Sequence, residues 1–166
     1  VQPSPDGLAQ AFILGKNFVG NNPSALVLGD NIFYGHELVG NLESADQRQQ
    51  GATVFAYHVQ DPERYGVVEF DAQGQAISLE EKPTHPRSRH AVVGLYFYDA
   101  TVFEHIRRIR PSARGEYEIT AVNQCYIDEG ALQYDFCRGE WTDAGQFESY
   151  QEANRILWGS RNRILE

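Results

Sequence analysis

The hydrophobic pattern along the chain switches between a helical period and continuous apolar runs. Leu8, Ala11, Phe12 and Gly15 recur on one helical face, so a helix is predicted over residues 7–19, capped by Asp6 and stopped by Gly-Asn-Asn-Pro at 20–23. Residues 25–28 (ALVL) show no polar alternation, the signature of a central strand buried on both faces. An apolar-poor helix follows over 36–49, with Gly51 as its exit. Residues 52–59 (ATVFAYHV) then read as a second buried strand, completing the β-loop-α-β unit of a parallel sheet.

The style changes at Pro62. Residues 67–70 and 76–80 flank Asp-Ala-Gln-Gly, which predicts a hairpin, and 92–98 (VVGLYFY) form another apolar run. Val102, Phe103, Ile106 and Ile109 fit one helix face; Ile119, Val122 and Tyr126 fit another, closed by Gly130. A strand over 132–137 and a helix over 146–158 complete the pattern, the latter with Phe147, Tyr150 and Leu157 on one stripe. With no repeat, low-complexity tract or linker, the expectation is one α/β body. Its sheet is mixed and mostly parallel, flanked by helices.

Composition narrows the function. A formal net charge of −9 argues against a nucleic-acid partner. No apolar run is long enough to span a bilayer, so no membrane partner is expected. The start, VQPSPDG, lacks the basic and apolar regions of a secretion signal, and Cys125 and Cys137 suggest neither a disulfide framework nor zinc. A reducing, cytoplasmic setting is therefore expected. His36, His58, His85, His90 and His105 show no metal-ligand spacing, and no dinucleotide loop, P-loop or nucleophile elbow is present.

Four stretches carry candidate chemistry. Asp30, just past the 25–28 strand, reads equally as turn chemistry or as an oxygen ligand for a hard cation such as Mg²⁺. Lys82, one of only two lysines, follows Glu80-Glu81 at a strand end. This is either a solvated ion pair or a point charge for phosphate with Glu81 accepting sugar hydroxyls. Tyr65-Gly66 precedes the hairpin, where Gly66 permits either a bend or close approach of a ligand. Asp143, in Trp-Thr-Asp-Ala-Gly, either N-caps the last helix or faces Asp30 as a second carboxylate. Sequence spacing does not choose between them.

Taken together, VQPSPDGLAQAF, LVLGDNIFYG, DPERYGVVEFD, LEEKP, VVGLYFYD, PSARGEYEIT and WTDAG resemble the glucose-1-phosphate thymidylyltransferase family in order and spacing. The resemblance implies a Rossmann-like nucleotidyltransferase fold with a β-rich sugar-binding lobe. Residues 1–60 would form the nucleotide part, 61–145 the sugar-phosphate part, and 146–166 the start of a helical region. It implies transfer of a thymidylyl group from dTTP to glucose 1-phosphate, giving dTDP-glucose and pyrophosphate, the entry to dTDP-rhamnose synthesis. By the same resemblance Gln2 and Gly7 read the thymine, and Asp30 and Asp143 hold Mg²⁺, Asp30 also lying near the nucleotide sugar. Tyr65, Gly66, Glu81 and Val92 line the glucose, and Lys82 holds the sugar phosphate. Asp30, Lys82 and Asp143 are the expected catalytic set, in a homotetramer.

The sequence also departs from the family. The family's Gly-rich G-G-x-G-T-R-L loop is not found, so these residues alone are expected to be inactive, beginning after the triphosphate cradle. The helical region after Glu166 is expected to be cut short. Ala121 replaces an acidic residue, and Thr142 and Ala144 flank Asp143 in place of the usual pair. The alternatives are a non-catalytic module that binds sugar phosphate or nucleotide, and a uridylyltransferase, since Gln2 can bond uracil as well as thymine.

Overall fold

The computed structural model describes residues 2–35 and 37–163, with 159–163 given by backbone only. Val1, His36 (expected to open the second helix) and residues 164–166 lie outside the described residues. In chain order the elements are α1 (Gln10–Val19), β1 (Ser24–Val27), β2 (Asn31–Tyr34), α2 (Leu38–Asp46) and β3 (Ala52–His58), followed by a 3-10 turn (Pro62–Arg64). Then come β4 (Gly66–Phe70), β5 (Ala76–Glu81), β6 (His90–Tyr98), α3 (Val102–Arg108), α4 (Ile119–Asp128), β7 (Leu132–Phe136), β8 (Glu140–Asp143) and α5 (Phe147–Arg163).

The main sheet is ordered β5-β4-β6-β3-β7, with β1 also paired to β6. It is mixed, as the pattern predicts. β1, β3, β4 and β7 run one way and β5 and β6 the other, but β3–β7 is the only parallel neighbouring pair among the described residues. β1 and β3 do point the same way. Their β-α-β crossover skips one strand position, which β6 fills antiparallel to both.

The central strand is therefore β6, not residues 25–28. β1 alternates between half-buried and exposed, and Val27 is 57% exposed. The reason is pairing: among the described residues β1 has β6 on one edge and no strand on the other. β6 is buried along nearly its whole length because both of its faces are covered. Its Val92, Tyr96 and Tyr98 join Phe12, Val102, Phe103, Ile106, Ile119, Val122 and Tyr126 in one core. Ala91, Val93 and Leu95, on the opposite face by the period of two, join Phe55, Val59 and Trp141 in a second core.

Other elements differ from the pattern in instructive ways. Asp6 does not cap α1: its carboxylate accepts from Ser4 Oγ and Gln10 Nε2, and the helix starts at Gln10. Within that helix Phe12 is buried while Ala11 is exposed. β2 and β8 form a two-stranded ribbon where only loop chemistry was legible. On α5 the stripe of Phe147, Tyr150 and Leu157 is exposed, and Ala153 supplies the buried contact.

At the end of β6, Asp99 ties the strand to the loop before β3. Burial alone raises its pKa, but bonds from Thr101 Oγ1, the Gly51 and Thr101 amides and Tyr126 O–H together hold it below the ordinary aspartate value. A depressed folded-state pKa stabilises the fold above the unfolded value of about 4, and that contribution is lost as pH falls through the folded value. Urea unfolding followed from pH 6 to pH 2 should show this acid loss in the wild type. Asp99→Asn should be less stable at pH 6 and show a flatter acid limb; an identical limb would remove Asp99 from the account.

Candidate active site

The site begins where β1 stops. β1 pairs with β6 as far as Val27 opposite Leu95, and the Leu28 N–H still reaches the Gly94 carbonyl (2.9 Å). β4 takes the same edge of β6 only at Ala91 and His90. Between these ladders, at residues 92–93, no strand among the described residues pairs with that edge of β6, and a cleft of about 230 Å³ occupies the gap. Val92, Gly94 and Tyr96 floor it. Burial and the nearby Glu81 charge push the Tyr96 phenol pKa well up, so it stays neutral.

Two glycines keep the walls close. A Cβ at Gly94 would lie 2.7 Å from Asn31 Oδ1 and from Leu28 side-chain atoms, and one at Gly66 would lie 2.7 Å from Thr120 Cγ2. Tyr65 forms one wall, its ring packed edge-on against Trp141 (5.4 Å between centroids). Lys82 follows β5 with φ +44°, the only non-glycine among the described residues with positive φ. Its N–H donates to the Tyr65 carbonyl (2.9 Å). A lysine held in this sparsely populated region stores strain of the kind that marks binding sites.

Glu81 lies beside Gly66, its partner across the β4–β5 ladder; its pKa is raised by burial and by Glu118, against the pull of Lys82 and Arg114. Arg114 bridges Glu116 (2.9 Å), Glu81 (3.4 Å) and Glu118 (3.7 Å), closing that wall with charge.

The β2–β8 ribbon brings the two aspartates together. Asn31 pairs with Asp143 across the ladder. The Ala144 N–H donates to the Asp30 carbonyl, and the Gly145 N–H donates to Asp143 Oδ1, both at 2.8 Å. A Cβ at Gly145 would meet Asp143 Oδ1 at 2.8 Å and Asp30 Oδ2 at 3.1 Å, so both carboxylates converge on one point above that glycine. Asp143 therefore does not cap α5, where the Gln146 N–H donates to Ser149 Oγ instead. Asn31 fixes the arrangement: its Oδ1 accepts from Gly94 N–H and Trp141 Nε1–H (both 2.8 Å), and its Nδ2 donates to Asp30 Oδ1 (3.0 Å).

This donor set suits a hard cation. Among the described residues no group of three or more His, Cys, Asp or Glu is arranged to hold a metal. Two oxygen donors suffice for Mg²⁺, which keeps water and takes phosphate oxygens for the rest of its shell.

Of the residues singled out in the sequence, Tyr65, Gly66, Glu81, Lys82, Val92 and Asp143 line the one cleft, and Asp30 is tied to it through Asn31. Gln2 and Gly7 do not line it. Gln2 Nε2 donates to the Gly7 carbonyl (3.2 Å), and Gly7, at φ +100°, packs against the Tyr117 backbone with no room for a Cβ. Leu8 is the cleft-lining residue of that segment. Asn31, Arg64, Arg114 and Trp141 were not singled out as site residues. Arg64 adjoins Tyr65 and Asn31 adjoins Asp30, but only the fold shows that Arg114 and Trp141 reach the same space.

The nucleotidyl transferase family profile matches residues 1–158. A glucose-1-phosphate thymidylyltransferase of Xanthomonas campestris pv. campestris is 57% identical over 159 residues, covering 95% of this chain and 54% of that protein. One of Neisseria meningitidis is 54% identical over 164 residues, covering 98% and 57%. Among solved structures, a Bacillus anthracis chain assigned as a glucose-1-phosphate thymidylyltransferase, in complex with a sucrose, superimposes with a TM-score of 0.79 at 45% identity, over 90% of this chain and 60% of that one. A UDP-glucose pyrophosphorylase complexed with UDP-glucose gives a TM-score of 0.82 at 26% identity, over 95% and 64%. The chain spans about half the length of the curated relatives it matches. With its sheet, its open β6 edge and its paired aspartates, the chain belongs to the nucleotidyl transferase family.

Proposed function

We propose that this chain carries the sugar-phosphate and cation side of a site that transfers a thymidylyl group from dTTP to glucose 1-phosphate. The observation that supports this reading best is the convergence of Asp30 and Asp143 above Gly145, beside a cleft that presents Lys82. Residues 1–60 would serve the nucleotide and 61–145 the sugar phosphate. The glucose would rest between Tyr65, Gly66 and Val92, its hydroxyls donating to Glu81. Lys82 would hold the sugar phosphate as a point charge. Gln2 would bond the base with the side-chain groups not used on Gly7. On this reading the protein is a cytoplasmic homo-oligomer, a tetramer.

The reaction is an in-line displacement: a phosphate oxygen of glucose 1-phosphate attacks the α-phosphorus of dTTP, and pyrophosphate leaves. The protein's share is positioning and electrostatics rather than covalent chemistry. Lys82 brings a nucleophile of the same charge sign towards the triphosphate. Asp30 and Asp143, held by Asn31 and by the Ala144 and Gly145 amides, would hold the cation. Bound Mg²⁺ supplies neutralisation of the crowded phosphates.

Pyrophosphate release from dTTP and glucose 1-phosphate with Mg²⁺, assayed on the protein carrying this sequence, tests the reading. Asp143→Asn should lower kcat/KM about 100-fold, the scale of losing a preorganised electrostatic partner. Faster turnover of UTP would move the assignment to uridylyl transfer, and tight retention of dTDP-glucose without any turnover would favour a binding module.

Lys82→Gly separates strain from function. Glycine relieves the positive φ, so chemical denaturation should show a gain of about 1 kcal/mol. Calorimetric titration should show glucose 1-phosphate binding weakened about tenfold for loss of a charge-assisted contact. Stabilisation with undiminished binding would take Lys82 out of the phosphate site.

A further inference from the structure

Beyond Lys82 the cleft opens into a shallower depression of about 580 Å³, lined by Glu63, Arg64, Lys82, Asp143, Gln146 and Glu148. Its lining carries three carboxylates and only two cations, Lys82 and Arg64. An anion entering such a space depends on each cation it can reach.

Arg64 is built for this position. It ends the 3-10 turn Pro62–Arg64, where Asp61 Oδ2 accepts from Arg64 Nη1 (2.8 Å). That bond uses one of the five guanidinium N–H donors, and the others meet no acceptor among the described residues. The guanidinium carbon stands 5.4 Å from the Tyr65 ring centroid, and that ring is braced against Trp141. The Tyr65 carbonyl in turn accepts the Lys82 N–H, so one residue holds the backbone of one cation and lies beneath the guanidinium of the other. Both partners of the Arg64–Asp61 pair are about 40% exposed, so the pair itself contributes little stability.

We infer that Arg64 is a second phosphate-binding cation of the cleft, restrained by Asp61 until a phosphate oxygen competes for its fork. The planar fork matches phosphate bidentately where Lys82 offers only a point charge. This inference rests on the reading of the cleft as a sugar-phosphate nucleotidylyl-transfer site. The phosphate is either that of the sugar phosphate or that of the departing pyrophosphate.

Titration calorimetry with inorganic pyrophosphate and, separately, glucose 1-phosphate, both with Mg²⁺, tests it on wild type, Arg64→Gln, Asp61→Asn and Lys82→Ala. Arg64→Gln should weaken at least one ligand about tenfold, and Asp61→Asn should tighten the same ligand several-fold by freeing the guanidinium. A pair with only a structural role would move both variants in the same direction, which would overturn the inference. A loss confined to pyrophosphate assigns Arg64 to the leaving group; a loss shared with glucose 1-phosphate assigns it to the sugar phosphate. If Lys82→Ala weakens binding while Arg64→Gln does not, the reading of the cleft stands and the role of Arg64 falls. If no variant changes either affinity, the reading of the cleft falls with it. Unchanged melting temperatures for Arg64→Gln and Asp61→Asn would confirm that the affinities report contacts rather than unfolding.

Discussion

The arrangement depends on one strand edge being used twice. β6 gives a full edge to β3 and divides the other between β1 and β4. A continuous ladder there would satisfy every backbone group and leave no room for a ligand. The division leaves residues 92–93 facing space, and Gly94 lets Asn31 and Leu28 pack close at its margin, where a side chain would strike both. The cleft is thus the geometric remainder of two short ladders that do not meet, built onto the central, largely buried strand of the main sheet. Site groups carried on strands and ribbons are held more precisely than groups carried on loops.

A second, smaller ladder supplies the electrostatics. β2 and β8 are far apart in the chain, yet their pairing sets Asn31 opposite Asp143 and so fixes where the Asp30 carboxylate stands. Two converging carboxylates repel each other and create a demand for a cation. Around them the site is mostly acidic, with Arg114 neutralised by three glutamates and Arg64 held by Asp61. The strained backbone of Lys82 belongs to the same picture: the fold holds a charge in a conformation that the residue alone would avoid. Polyphosphate chemistry asks for this combination, since it relies on placing charges rather than forming bonds to the protein.

The helix faces were the most legible part of the fold. Val102, Phe103 and Ile106, and Ile119, Val122 and Tyr126, are buried as their spacing predicts, because a helix's period alone decides which residues share a face. Strand rank was not legible. Residues 25–28 and 92–98 are both apolar runs, and composition cannot tell an edge strand from a central one when the difference lies in what pairs alongside. The stripe on α5 shows the same limit. Phe147, Tyr150 and Leu157 share a face as their spacing requires, but periodicity does not say whether anything covers it.

At the site, the sequence by itself determined the residue types and their local settings: an aspartate past a strand, Lys82 before Pro83, a glycine after Tyr65, an aspartate before Ala-Gly. Those are local properties, set by propensity and turn chemistry within a few residues. Only the tertiary structure decided that Asp30 and Asp143 meet, that Asn31 and Trp141 hold them, and that Arg64 and Arg114 reach the same cleft. Each of those facts is a distance between residues tens of positions apart. Such distances are fixed by strand order and register, which depend on how all the apolar surfaces are buried together.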